Sequence, residues 1–381
     1  MSKLFCCFFA TVLFLQCAGA FSPFDFSGAA LKGTRENASF TALPVRPLKF
    51  QTFYPQLHDV LAEVSAGPCL VSLQAYEGNL TARKELTQYG GVGNYCYLHN
   101  DCLHSTIYES SKSNMAAASV LLGLTPTILT SFGPAIAEIA LLSSRRPLLS
   151  WLLSMGAPAA FPSRFLAFEN PVELLRRPER PGTLSVPHKP VRFAFILSVL
   201  QYVLAVVAIV NLIATSLELG LKTVVSWRCS VSWLPLMWAF TPIACHAPAV
   251  LSFNVYRRRV KAQWCADKKE LRLIHALKGE FTISANNMDI MNIAEASEDV
   301  SPGVWSMLLQ GVATLFGILQ VVFGTVVFSS LLYIGVEDAT KLFLRYATSA
   351  FCCRLILYME LEGMIAVARV EKGKGKRKGE V

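Results

Sequence analysis

Four stretches of the chain, 114–142, 193–215, 231–253 and 305–333, run for twenty or more residues with almost no charged side chain. About twenty apolar helical residues, rising ~1.5 Å each, cover the ~30 Å hydrocarbon of a bilayer. A fifth stretch, 342–367, is apolar but interrupted by Arg345, Arg354, Glu360 and Glu362, most of them near its ends, where an arginine can reach back to the interface. The pattern predicts an all-α, polytopic transmembrane helix bundle with a small extracytoplasmic N-terminal segment. The first span contains Gly123, Pro126, Gly133 and Pro134 and is expected to be kinked or interrupted. Such a break is tolerated only where protein or a polar cavity satisfies the freed backbone groups.

Basic residues flank these stretches on one side. Arg145 and Arg146 close the first, Arg176, Arg177, Arg180, Lys189 and Arg192 precede the second, and Arg257, Arg258, Arg259 and Lys261 follow the third. Lysine and arginine are retained on the cytosolic side, so 143–192 and 254–304 read as cytosolic and 216–230 as an external loop. Residues 147–168 are broken by Pro147, Gly156, Pro158 and Pro162. They are expected as an interfacial segment on the cytosolic side, with a re-entrant loop as the alternative. The basic tail 368–381 reads as cytosolic and suits an anionic leaflet, unless 342–367 lies along the membrane as an amphipathic helix and leaves the tail outside.

Met1 to Ala20 has Lys3, an apolar run from Leu4 to Leu15, and small residues at Ala18 and Ala20. This is the pattern of a cleavable signal peptide, the alternative being an uncleaved first helix. A cleaved signal leaves 21–113 outside the cytosol. That segment carries two glycan acceptor sequons, at Asn37 and Asn79. It also holds Cys69, Cys96 and Cys102, and Cys229 in the next external loop makes four. Four cysteines allow three pairings. We favour Cys96 with Cys102 and Cys69 with Cys229, the second pinning the segment to the bundle. The run Cys96, His99, Cys102, His104 also has zinc-ligand residue types, but an oxidising compartment favours disulfides, and no metal or cofactor is implied.

The 381 residues are 53% hydrophobic and 16% charged, with a formal net charge of +9. A soluble domain carries about a quarter charged residues. The positive excess sits beside apolar runs, where it orients a membrane protein, and no nucleic-acid module is visible. Nor is there a nucleophile elbow, a zinc-protease helix, a phosphate loop or a dinucleotide turn. The partner these features imply is the bilayer, with anionic lipid at the tail, and they name no protein partner.

Three residues inside the spans are candidates for transport. Glu138, in the first span, must be neutral, paired, or facing water or protein; Arg345 and Arg354 are its possible counter-charges. His246 is expected to hydrogen-bond a neighbouring helix, and a proton relay through it would need Glu138 within reach. Gln320 shares a helical stripe with Gly317 and Gly324, which reads as a helix contact or as the lining of a substrate route.

The stretches from Leu124 to Leu149 and from Asn292 to Gly317 resemble segments of multi-pass membrane proteins of filamentous fungi. The resemblance implies a cleaved leader, a sequon-bearing outer segment and a proline-rich first span, and brings no mechanism. Two functions remain open: a small-solute or ion transporter or channel using the kinked first helix, and a non-catalytic sensor or scaffold with a disulfide-closed outer segment. The secretory pathway leads to the plasma membrane or an internal membrane.

Overall fold

The structure, a computed structural model, describes residues 49–88, 94–162, 168–176, 191–264, 280 and 301–379. The signal-peptide reading, Asn37 and the acidic stretch 286–300 lie outside the described residues. The chain is all-α. Twelve helices are described: α1 His58–Ala66, α2 Leu70–Glu77, α3 Leu80–Gln88, α4 Tyr95–Thr106, α5 Glu109–Phe132, α6 Ile136–Ser143, α7 Pro147–Gly156, α8 Val191–Lys222, α9 Leu234–Phe240, α10 Pro242–Trp264, α11 Val304–Ser329 and α12 Val336–Gly379. The two short strands are β1 Val224–Val225 and β2 Leu331–Leu332, paired antiparallel.

Four segments are long and apolar enough to cross a membrane: Glu109–Phe132, Ala194–Lys222, Leu234–Val260 and Val304–Ser329. Fewer than half of the residues in each apolar window, 44%, are buried within the protein. On α8 the exposed residues include Val199, Val203, Val206 and Val210, and on α11 Leu308, Val312, Leu315, Leu319, Val322 and Val326. These are spaced by three and four, so each helix presents one continuous apolar stripe outward. Water would not tolerate two such stripes, and lipid does. This is a helical membrane protein. The fifth predicted span falls inside α12 and is helical, but it is not one of the four apolar helices.

The chain divides into two compact units. The first unit takes residues up to Thr125, Ile213–Met237 and Phe323–Arg345; the second takes Pro126–Leu212, Trp238–Val322 and Tyr346 onward.

In the first unit, helices α1, α2 and α4 enclose a core of Phe50, Phe53, Leu57, Leu61, Leu103 and Tyr333, with the cysteines among it. Cys69 is bonded to Cys102 and Cys96 to Cys229. This corrects the favoured pairing. Cys96 and Cys102 are six residues apart on α4, where successive residues turn by 100°, so their side chains leave on different faces and find partners on different segments. The same bonds consume the thiols that a zinc site would need. Lys49 is buried and donates its Nζ to the carbonyls of Thr223 (3.2 Å) and Val231 (2.7 Å), and burial pushes its amine down to about 8. The Tyr333 hydroxyl donates to Asn100 Oδ1 at 2.9 Å. Asn79 is exposed, and its Oδ1 accepts from the Thr81 amide at the start of α3.

His99 sits at the centre of this core. Ser72 Oγ donates to the Cys69 carbonyl at 2.8 Å and so accepts from His99 Nδ1 at 2.9 Å. The proton is thereby placed on Nδ1, and Nε2 accepts from Ser65 Oγ at 3.2 Å. The imidazole is neutral, and burial pushes it down to about 4. Between that value and its ordinary 6.5, the unfolded chain binds a proton that the folded chain does not. Stability is therefore full above about pH 6.5 and falls as the pH drops toward 4. Acid titration followed by near-ultraviolet circular dichroism is expected to show this loss, up to ~3 kcal/mol. His99→Gln is expected to flatten the profile; an unchanged acid limb would show that the imidazole is not held neutral.

Candidate functional site in the broken helix

In the second unit two non-helical pieces of backbone lie side by side. Pro126 is accommodated inside α5. The interruption comes at Gly133-Pro134-Ala135, between α5 and α6. Gly133 caps the end of α5 through its N–H to the Leu129 carbonyl at 2.9 Å, and a Cβ there would collide with the carbonyl of Ala159. The second piece is the strip 157–162 after α7. Ala135 pairs with Phe161 in a parallel bridge, and the Phe161 N–H donates to the Pro134 carbonyl at 3.0 Å. Each non-helical piece thus satisfies part of the other's backbone.

Gln320 holds the strip from the side. Its Nε2 donates to the Pro158 carbonyl at 2.8 Å, and its Oε1 faces the Cys245 thiol. Gln320 lies well inside the apolar helix α11, so the strip runs alongside a candidate membrane span. Gly317, one turn away, lets Pro162 approach. Within 147–162, Leu149, Leu153, Ala157, Ala159 and Ala160 are buried, while Leu148, Trp151 and Phe161 are exposed. Burying non-helical backbone is costly unless its polar groups are paired, and Gln320 supplies one such partner here.

Glu138 is buried near the start of α6. Its carboxylate accepts from the Ala135 N–H at 3.1 Å and forms a two-pronged ion pair with Arg354 of α12. Of the two possible counter-charges, Arg354 is therefore the partner, while Arg345 pairs with Glu218 at 2.6 Å.

His246 departs from expectation. It is 3% exposed, yet neither ring nitrogen has a hydrogen-bond partner among the described residues. Trp151 stacks edge-on against it, with ring centroids 4.8 Å apart. The expected bond to a neighbouring helix is thus missing, and no hydrogen bond links His246 to Glu138. His246 instead lines a cleft with Pro134, Ile136, Ala157, Ala160 and Cys245. A second cleft shares Ile136 and Ala249 with the first and is bordered by Phe253, Ser252 and Gln310. Gln310 is 5% exposed; its Nε2 donates to the Glu169 carbonyl at 3.3 Å, and its Oε1 has no partner among the described residues.

A second charged cluster was not foreseen. Arg146, read as a cytosolic anchor, is completely buried. Its Nη1 donates to Glu360 Oε1 (2.8 Å) and to Gln201 Oε1, its Nη2 to Ser198 Oγ (2.6 Å) and its Nε to the Glu280 carbonyl (2.8 Å). Glu280 Oε1 accepts from the Tyr202 hydroxyl at 2.6 Å and from the Leu149 N–H at 3.0 Å. One signal was present in the sequence. Ser198, Gln201 and Tyr202 fall three and four apart on an otherwise apolar stretch of α8, and a polar stripe facing a bundle needs a partner. Which charge supplies that partner is decided by residues far along the chain.

No protein-family model matches the chain, no curated protein matches it, and no solved structure matches its fold.

Proposed function

We propose that the protein moves a small solute or ion across its membrane through the second unit, around the broken helix. The observation that carries this reading is the pair of non-helical backbone segments, 133–135 and 157–162, bridged to each other and held by Gln320 of an apolar helix. Backbone of this kind at membrane depth is kept where it is packed in protein or lines a path, and the clefts beside these two segments favour the second. The fully buried pair Arg146–Glu360 and the partly buried pair Glu138–Arg354 join the residue that caps α7, and α6, to α12. Charges buried among apolar helices mark routes and moving contacts by default. Both clefts lie in this unit, which favours transport over a sensor role for the outer segment.

The same reading assigns sides. Residues 49–113 and 216–230, read as external from the leader and the charge pattern, fall in the first unit. Disulfides and the exposed Asn79 sequon suit an oxidising, glycosylating compartment.

The test uses the full chain in phosphatidylcholine–cholesterol vesicles, with proton, potassium, water, ammonia and glycerol permeabilities compared with those of protein-free vesicles. At least one is expected to rise, and Glu138→Gln is expected to lower it about tenfold, equivalent to one lost charge contact in the barrier. Arg354→Gln, which removes the other half of the pair, reports the same contact. Wild-type vesicles as tight as protein-free ones to every probe would sink the proposal, as would a Glu138→Gln flux equal to wild type.

A further inference from the structure

We infer that the two clefts beside the helix break form a two-station site for an uncharged, water-sized molecule that both donates and accepts hydrogen bonds, the chemistry shared by water and ammonia. The inference rests on the transport reading above and names the class of molecule moved.

Three observations converge. First, the clefts are consecutive: Ile136 and Ala249 wall both of them. Secondly, each presents one unsatisfied polar side chain. A neutral imidazole has one donor and one acceptor nitrogen, and both of those of His246 lack a partner among the described residues. Gln310 lines the second cleft, and its Oε1 has no partner among the described residues. A buried polar group left unpaired is costly, and the fold has other ways to fill these positions. A molecule passing through would satisfy each in turn. Thirdly, the remaining walls choose the size and the charge. They are mainly alanine, proline, isoleucine and phenylalanine, and each cleft has room for about one water-sized molecule.

Among the described residues, no Asp, Glu, Lys or Arg lines either cleft. Glu138, next to Ile139 on the wall, is engaged by Arg354 and by its own cap. An ion entering here would lose its hydration with no charge to replace it. A neutral molecule loses one or two hydrogen bonds and regains them from His246 and Gln310. The Cys245 thiol is already directed at the Thr241 carbonyl and at Gln320, the Ser154 hydroxyl at the Trp151 carbonyl and the Ser252 hydroxyl at the Ser306 carbonyl, so among the described residues the imidazole and the amide oxygen remain as recognition groups.

The experiment uses the full chain in the same vesicles, with two neutral probes read separately. Water permeability is taken from osmotic shrinkage in sucrose, and ammonia permeability from interior alkalinisation after addition of ammonium chloride. Potassium and proton fluxes under an imposed potential are the charged counterparts. One or both neutral permeabilities are expected to exceed those of protein-free vesicles while the charged fluxes do not. His246→Phe, which fills the first cleft without a polar atom, is expected to lower the neutral rate about tenfold, the equivalent of one hydrogen bond. His246→Gln, which keeps a donor and an acceptor, is expected to restore most of it, a rescue that a merely structural role would not give. Gln310→Leu probes the second station independently and decides the matter if His246→Phe does not fold. The inference is overturned if folded His246→Phe and Gln310→Leu both conduct like wild type, or if only potassium or protons pass. In the latter case a Glu138-dependent ion flux leaves the transport reading standing, whereas silence toward every probe removes both.

Discussion

Arg146→Met is expected to cost about 3–5 kcal/mol of unfolding free energy, the largest single-site effect in the second unit. The guanidinium is fully buried and Glu360 is 1% exposed, so removing the cation takes a charge-assisted hydrogen bond from a carboxylate with almost no access to water. Gln201 Nε2 would still donate to Glu360 at 2.7 Å, but an amide replaces little of a full charge. Ser198 Oγ and Gln201 Oε1 would each lose a donor as well. Denaturant unfolding in detergent, followed by circular dichroism, measures the change. The double substitution Arg146→Met with Glu360→Met is expected to recover much of the loss, because replacing both charges removes the desolvation cost together with the attraction. A single substitution within ~0.5 kcal/mol of wild type, the ordinary range for an exposed residue, would show that Arg146 is hydrated after all. Glu360→Gln offers a milder probe of the same network and is expected to fall between the two.

Opening the Cys96–Cys229 bond by a double serine substitution is expected to cost about 2–5 kcal/mol in the first unit. It should cost about 1 kcal/mol more than opening Cys69–Cys102, because the loop it closes spans 133 residues rather than 33, and chain entropy grows with the logarithm of loop length. Protease sensitivity around α1 to α4 reports the loss, since both bonds cross the core that Phe50, Leu61 and Tyr333 share. The pairing itself is checked on protein alkylated in intact cells. Cleavage before Asp101 separates Cys96 from Cys102, and cleavage after Arg83 separates Cys69 from Cys96. The Cys69 fragment is then expected to be joined to that of Cys102, and the Cys96 fragment to that of Cys229. A Cys96–Cys102 link would contradict the structure. Recovery of all four as alkylated thiols would place this unit in a reducing compartment and reverse the assignment of sides.

Much of the architecture was legible before any coordinates. An uncharged run such as 305–333 has one favourable place, and its helix follows from the need to satisfy the backbone where there is no water. Gly133-Pro134 announced a break because proline removes a donor and glycine weakens the helix on either side. The cysteines announced disulfides by number and position. Their pairing stayed open, because three connectivities are equivalent until the direction of each side chain on α4 is known. His246 and Glu138 stood out as polar residues in apolar surroundings. Arg146 did not, since beside Arg145 it had the pattern of an interfacial anchor, and Gln310 passed as one amide in a long helix.

By itself, then, the order of residues determined a helical membrane protein, the four apolar spans, the site of the broken helix and the set of bonded cysteines, because these depend on local composition and on what lipid refuses to solvate. Only the tertiary structure decided which cysteine meets which, that Arg354 rather than Arg345 answers Glu138, that Arg146 is buried against Glu360, and that His246 and Gln310 line small clefts with polar atoms unpaired among the described residues. Each of these is a contact between segments tens to hundreds of residues apart. The cost or gain of burying a charge or a ring depends on the group it meets there, and no local pattern carries that information.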